Sequence, residues 1–428
     1  MFRRFAHNLN KTLTSAALAL LASGVEADGF GIYDSKTLAL GGASVAIADP
    51  GVAVFYNPAR LAQHNYDEDS GRHGRFYFPL TTVQVATSVE DIQDIDDDDL
   101  TNRLTNSIEQ FNAAPNGTNA AAIVNNSSEL LFALDDLRQD SLFVDAFTGL
   151  SISEPGDGQG GAFYWGARVV GDGDLAGIDE ADLNLLGDYV EGLDFIASGG
   201  QRGAPHPELF NDDGTLIDPR DQLVSQTRAA GALINELGLS AAKRFNFWGQ
   251  PVAFGITPKL QLIKTYDATY DVGDDDLETG RDDTFEQTHN FDLGVATEIG
   301  RWNVGLSVKD LISRAVSTPL GREVAIDTKT RLGVGYLGNR FKIGLDYDLT
   351  PIAPVASGLE VQELAIGGEW RVIRSIFLRA GYRQDLLGTR EDTLSYGLGF
   401  YWRRFAMDLS VADGNDLLGF SLQLGFKH

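Results

Sequence analysis

Cysteine is absent from the 428 residues, methionine occurs twice, and bases are scarce: 34 Lys and Arg stand against 61 Asp and Glu, a formal charge of −27. Without thiols there is no disulfide framework, no thiol enzyme and no Cys-ligated zinc or iron–sulfur centre. The shortage of bases speaks against a nucleic-acid partner, because holding phosphates requires a basic face. Long hydrophobic runs are missing as well, and mean hydropathy is −0.13. That excludes a bundle of membrane-spanning helices. It does not touch proteins that cross with strands, where alternate residues face away from lipid.

The chain starts Met1-Phe2-Arg3-Arg4, with Lys11 ahead of an apolar run from Ala16 to Ala22 and Val25-Glu26-Ala27 before Asp28. A basic start, a short apolar core and a small-residue end describe a Sec signal peptide cut after Ala27. The expected divisions are a signal peptide over 1–27, an N-terminal segment over 28–70 and the main domain over 71–428, with export beyond the inner membrane.

What the chain does have is a period of two. Leu394, Tyr396, Leu398, Phe400 and Trp402 alternate with Ser395, Gly397, Gly399 and Tyr401, and the pattern returns in Phe341–Leu349, Phe405–Val411 and Leu418–Phe426. Such alternation means strands with one apolar face. Connections between the expected strands alternate long and short: 89–141 against 155–159, 172–222 against 244–248, 272–283 against Gly300 alone. A transmembrane barrel has long outer loops and tight periplasmic turns, whereas a soluble sandwich has no reason for that rhythm. The expected fold is an antiparallel transmembrane β-barrel of about 14 strands. One of these strands is placed over 323–336, and one short turn at 372–373. The large insertions, 89–141 and 172–222, carry helical spacing at Leu104, Ile108 and Phe111, at Leu130, Leu131, Leu134 and Leu137, and over 181–196.

Gly41-Gly42-Ala43-Ser44-Val45-Ala46-Ile47-Ala48-Asp49, followed by Val54-Phe55-Tyr56-Asn57-Pro58-Ala59-Arg60-Leu61-Ala62, resembles the N-terminal signature of the FadL/PorV-like outer-membrane barrel superfamily. Within it the chain most resembles the plasmid-transfer TraF-like outer-membrane family. Gly255–Lys259, Phe291–Gly294, Leu306–Ile312 and Leu378–Arg383 resemble that family's later strands. The resemblance implies a lumenal N-terminal hatch, with Gly41, Gly42, Asp49, Tyr56, Asn57 and Pro58 as its plug residues. It implies either uptake of small hydrophobic or amphipathic solutes, or a non-transporting scaffold in a conjugation or secretion apparatus. The thioredoxin-like protein that shares the family's label works through cysteines, so its activity does not carry over. From the residues themselves, Asn57 before Pro58 suits a helix start, with Asn as cap and Pro at the first position.

Parity assigns the charges. An Arg on the lipid face at mid-membrane costs about 2–4 kcal/mol, so Arg379 and Arg383 on one strand identify the inner face. By the same logic Asp327, Lys329, Arg331, Lys342, Asp346, Asp348, Glu363 and Glu369 point into the lumen, and the 372–373 turn sets Glu363 opposite Arg383. Pro258 lies inside an expected strand and removes a ladder hydrogen bond, so it marks a bulge or a break, and the FadL-like resemblance implies that a break there serves as a lateral opening. No metal centre is expected. From Asp172 a calcium-loop template has Asp174 and Gly177 in place but Leu183 where the bidentate Glu belongs, and His7, His64, His73, His206, His289 and His428 lack metal spacing. No nucleophile–His–acid set stands out and Gly156-x-Gly158-x-x-Gly161 falls in a turn, so neither catalysis nor a cofactor is expected. The expected partners are outer-membrane lipid and lipopolysaccharide of a Gram-negative cell, with a small hydrophobic solute or cell-surface apparatus proteins beyond them.

Overall fold

A computed structural model describes residues 30–63, 74–86, 100–137, 142–174, 179–202, 205–271, 276–281, 285–352, 360–414 and 417–427. The expected signal peptide, together with His7, His64, His73 and His428, lies outside them.

The wall is built from β1 (Arg75–Ala86), β2 (Leu142–Glu154), β3 (Gln159–Asp174), β4 (Gln226–Phe247) and β5 (Gln250–Asp271), with β6 (Asp276–Arg281) extending beside the end of β5. It continues through β7 (Glu286–Ile299) and β8 (Trp302–Lys309). A separate hairpin, β9 (Arg314–Ser317) and β10 (Glu323–Ile326), follows before β11 (Lys329–Leu337) and β12 (Phe341–Asp348). β13 (Glu363–Ile373), β14 (Ile376–Asp385), β15 (Thr393–Trp402), β16 (Phe405–Gly414) and β17 (Leu417–Lys427) complete it. Neighbours pair antiparallel and β17 returns to β1, so the sheet closes as a 14-strand barrel. Closure satisfies the backbone groups that an open edge would leave bare in hydrocarbon.

The alternation in the sequence is the alternation of the two faces. Along β15, Leu394, Tyr396 and Leu398 are about half exposed on the outside, while Thr393 and Ser395 are buried within. Exposed aromatics gather at the short-turn end, with Trp302, Phe341, Trp370, Trp402 and Phe405 beside the turns and Trp248 in the turn between β4 and β5. This is where a membrane barrel carries an aromatic girdle. Among the described residues no helix is long and apolar enough to cross a membrane.

Three expectations are corrected. The single strand over 323–336 is two elements: Glu323–Ile326 pairs back on β9 through a turn in which Thr318 N donates to Arg322 O (2.7 Å), and wall pairing resumes at Lys329. Asp327 therefore lies in the connection and lines no strand face. The turn expected at 372–373 falls at Arg374–Ser375, so Arg383 faces Ala365, Glu369 faces Arg379 and Glu363 faces Asp385. A slip of two residues preserves side-chain parity, so the inward assignment survives although the partner changed. At Pro258 neither a bulge nor an opening exists. β5 runs against β7 in one register from Val252 to Ile263, with Pro258 opposite Phe291. Against β4 the pairing skips only Leu239 and Ser240 and resumes unshifted, as expected where a proline lacks its N–H but no residue is inserted. Ser240 Oγ and Thr257 Oγ1, 2.7 Å apart, bridge the gap.

The two long connections hold α2 (Leu100–Ala113), α3 (Gly117–Leu137) and α4 (Glu180–Ala197), numbered after the short α1 (Ser35–Ala39) inside the barrel. The three helices share a core of their own: Leu104, Ile108, Phe111, Ile123, Leu130, Leu186, Tyr189 and Leu193, with Leu209 and Leu216 from the following loop. Asn112 clamps the backbone of Leu216 in both directions, at 2.9 and 2.7 Å. The two insertions thus form one helical cap.

Replacing the lipid-facing Leu398 in the middle of β15 by Arg is expected to lower unfolding free energy by about 2–4 kcal/mol. Guanidinium titration in lipid vesicles measures this, with Leu398→Val as the control.

Candidate functional site: the plugged lumen

Residues 30–63 run inside the barrel, and nearly all of them are buried. They are seated on glycines. A methyl group at Gly381 would collide with the backbone of Leu40 and Gly41, one at Gly367 with Leu40, and one at Gly344 with Ile47. The plug backbone thus lies directly on the wall backbone. Gly41 and Gly42 turn the chain there with φ of 66° and 100°, a region that costs other residues energy.

Polar groups then pin the plug. Asp346 of β12 accepts from the backbone N–H groups of Ser44 (2.8 Å) and Val45 (2.9 Å). Lys309 of β8 donates to Phe30 O (3.1 Å) and to Tyr33 Oη (2.6 Å). Lys36 lies 3.3 Å from Glu369, and Asn303 donates to Ala46 O at 2.9 Å. Within the plug, Tyr56 donates to Asp34 (3.0 Å) and accepts from Tyr33 N (2.8 Å). Burial pushes the Asp34 carboxyl up to about 6. Asn57 does three things at once. It caps the turn Pro58–Ala62 by accepting from Ala59 N, and its Nδ2 donates to Val45 O and to Val295 O on β7. Asp49 accepts from Gly51 N (2.9 Å) and Tyr77 Oη (3.3 Å), and the Lys36 and Arg75 charges hold it well below the usual carboxylate range against burial.

The charges assigned by parity form paired clusters. Arg331 reaches Asp348 through Nε (2.5 Å) and Nη2 (2.8 Å), and Glu363 through Nη2 (2.8 Å). Arg379 is shared by Glu369 (2.8 Å), Asp408 (2.7 Å) and Tyr401 (3.1 Å). Arg383 approaches Glu363 diagonally at 3.6 Å and crosses to Gln84 of β1 at 2.8 Å. Lys329 sits 3.9 Å from Asp310, and the more open Lys342 lies 3.3 Å from Glu369. A second cluster was missed by the sequence reading: Lys259 lies 2.7 Å from Asp310, 3.0 Å from Asp292 and 3.3 Å from Glu236, and Arg168 pairs with Asp145 at 2.9 Å. The signal was present, since Thr257, Lys259 and Gln261 keep the inward parity opposite to Phe254 and Ile256.

Above the plug, towards the long-connection end, the lumen turns apolar. Val170, Ala232, Ile234 and Ile263 of β3, β4 and β5 meet Val316, Val324 and Ile326 of the β9–β10 hairpin. The hairpin is fastened by Arg322, which donates to Ala229 O (3.1 Å) and Thr269 Oγ1 (2.9 Å). Asp267 also holds it, accepting from Leu320 N (3.0 Å). The fold also brings together residues that are distant in sequence: His206, with Glu208 two residues on, lies beside Asp188 and Glu191 on the helical cap.

This architecture is that of a transmembrane β-barrel filled by its own N-terminal segment. The family described as "F plasmid transfer operon, TraF, protein" matches residues 54–348, well over half of the chain, and the chain belongs to that family. Among solved structures it is similar to a Pseudomonas aeruginosa FadL homologue, at 10% identity and a TM-score of 0.49, with 94% of this chain and 99% of that one covered. It is also similar to the P. putida toluene transporter TodX, at 10% identity and a TM-score of 0.43, covering 93% and 97%. No curated protein matches it.

Replacing Arg331 by Ala leaves Asp348 buried without its cation, while Glu363 keeps Arg383 at 3.6 Å, and an uncompensated buried charge costs about 3–5 kcal/mol. Arg331→Ala is expected to lower barrel stability by that amount in a guanidinium titration, whereas Lys342→Ala, at the open edge, changes it by less than about 1 kcal/mol.

Proposed function

We propose that the protein is a gated conduit of the Gram-negative outer membrane for small hydrophobic or amphipathic solutes, reached through a Sec signal peptide, passive and without a catalytic step. The observation that carries this reading is the apolar lumenal patch of Val170, Ala232, Ile234 and Ile263, covered by a hairpin that apolar packing and a few hydrogen bonds hold in place. A solute that competes with Val316, Val324 and Ile326 for that patch releases the hairpin. Below it, the plug is held by reversible polar contacts, so its displacement opens the path. The charged clusters keep the wall rigid while the plug moves, because they join strand to strand: Arg331–Asp348–Glu363 spans β11, β12 and β13.

Membership of the plasmid-transfer family favours a second reading, a closed barrel serving as scaffold or adaptor in a conjugation apparatus, with the α2–α4 cap as the partner surface. Planar-bilayer recording separates the two. Asp346→Ala removes the acceptor of two plug N–H groups, and one charge-assisted bond is worth about 1.5–3 kcal/mol. Open time is therefore expected to rise at least about tenfold, with uptake of a small aromatic solute into proteoliposomes rising in step. Silence in the wild type, in Asp346→Ala and in a plug deletion alike, with partner capture lost when α2 and α3 are removed, would establish the scaffold instead.

A further inference from the structure

We propose that the external helical cap carries a binding site for a divalent transition-metal ion of the zinc class, formed by His206 Nδ1 with the carboxylates of Asp188 and Glu208. Neither reading of the barrel's function requires this site.

Its parts come from two elements. α4 presents Asp188 and Glu191 three residues apart, hence on one face. The loop that follows sets His206 against that face, with Glu208 beside the ring. Leu209, buried in the cap core, anchors the short turn Pro207–Leu209. Gly192 makes the contact fit: a methyl there would come 3.2 Å from Leu209 Cδ1 and 3.5 Å from His206 Cβ. The imidazole is therefore seated directly on the helix.

The donor atoms converge. His206 Nδ1 is 2.9 Å from Glu208 Oε1 and 3.9 Å from Asp188 Oδ1, and all three donors lie within 4.8 Å of one another. A tetrahedral zinc ion with bonds of about 2.0–2.2 Å separates its ligands by about 3.3 Å, so the carboxylates need to shift by only a fraction of an ångström each. Both can do so, being 44% and 59% exposed at their side chains, whereas His206 is held at 17%. On the far side of the ring, Nε2 is buried, has no well-formed hydrogen bond, and lies 3.5 Å from Glu191 Oε2. This is the outer-shell arrangement of zinc sites. A carboxylate beyond the ring attracts the Nε2 proton and leaves the Nδ1 lone pair to the metal. One nitrogen and two carboxylates suit zinc, nickel or copper, whereas calcium and magnesium take all-oxygen shells of higher coordination. The fourth position faces solvent and falls to water.

A salt-bridged surface cluster around a protonated His206 is the competing explanation, and zinc titration decides. Tag-free full-length protein in detergent, stripped with a chelator, is titrated calorimetrically with ZnCl₂ at pH 7.5. The expected result is one tight equivalent that millimolar CaCl₂ or MgCl₂ does not displace. His206→Ala abolishes it, and Glu191→Gln weakens it about 10- to 100-fold. Because His206→Ala removes a packed ring, Asp188→Asn and Glu208→Gln serve as variants that leave the cap core untouched, and each is expected to weaken zinc at least about tenfold. No zinc binding by the wild type would overturn the proposal. So would the same affinity in Asp188→Asn and Glu208→Gln as in the wild type.

Discussion

A charge on the inner wall of a membrane barrel has lipid behind it and plug in front of it, so it must find its counter-charge within the lumen. That constraint organises this molecule. Arg331, Arg379 and Lys259 each gather two or three acceptors from elsewhere on the inner wall, and the spare acceptors hold the plug. Asp346 is the clearest case: it belongs to the wall, yet its bonds go to the backbone of Ser44 and Val45. A buried plug with unpaired N–H groups would cost more than the packing returns, and the wall carboxylates remove that cost.

Close approach is the second half of the same solution. Polar pins hold only if plug and wall come within hydrogen-bonding distance, and the lumen-facing glycines of β12, β13 and β14 permit it. The small residues that alternate with Leu, Tyr and Phe along these strands are thus the seat of residues 40–47. A lumen lined with larger residues would hold the segment off the wall and leave water between them. The parts of the architecture are also held in different ways. Fourteen paired strands with bridging ion clusters form a stiff frame, while the β9–β10 hairpin is tethered at a few points over an apolar patch and carries no wall pairing of its own.

The cap shows how a polar, acidic insertion still becomes a folded unit. Each helix presents a narrow apolar stripe that is too small to be stable alone. Stripes from two separate connections combine around Tyr189 and Phe111, and side chains such as Asn112 and Asp182 satisfy the loop backbone at their edges. The rigidity that results is what positions His206 over Gly192.

Barrel class, inward face and the existence of helices in the insertions were legible along the chain, because period two, period 3.6 and the alternation of connection lengths are local properties and lipid penalises any charge on the wrong parity. Asn57 was legible as a cap for the same reason, its first partner being two residues away. Pairings between distant residues were not. The β13–β14 register slipped by two because the turn formed two residues later, a shift invisible to parity. Pro258 read as a break, yet the ladder on its β7 side carries the wall through without a shift. Asp327 left the wall because Glu323–Ile326 pairs with β9 instead and wall pairing resumes only at Lys329. His206 stood alone in the sequence, 14 residues beyond Gly192, until the fold laid one on the other. The sequence by itself determined which residues turn inward. Only the tertiary structure decided which of them meet, because a meeting depends on register and closure, which are properties of the whole sheet.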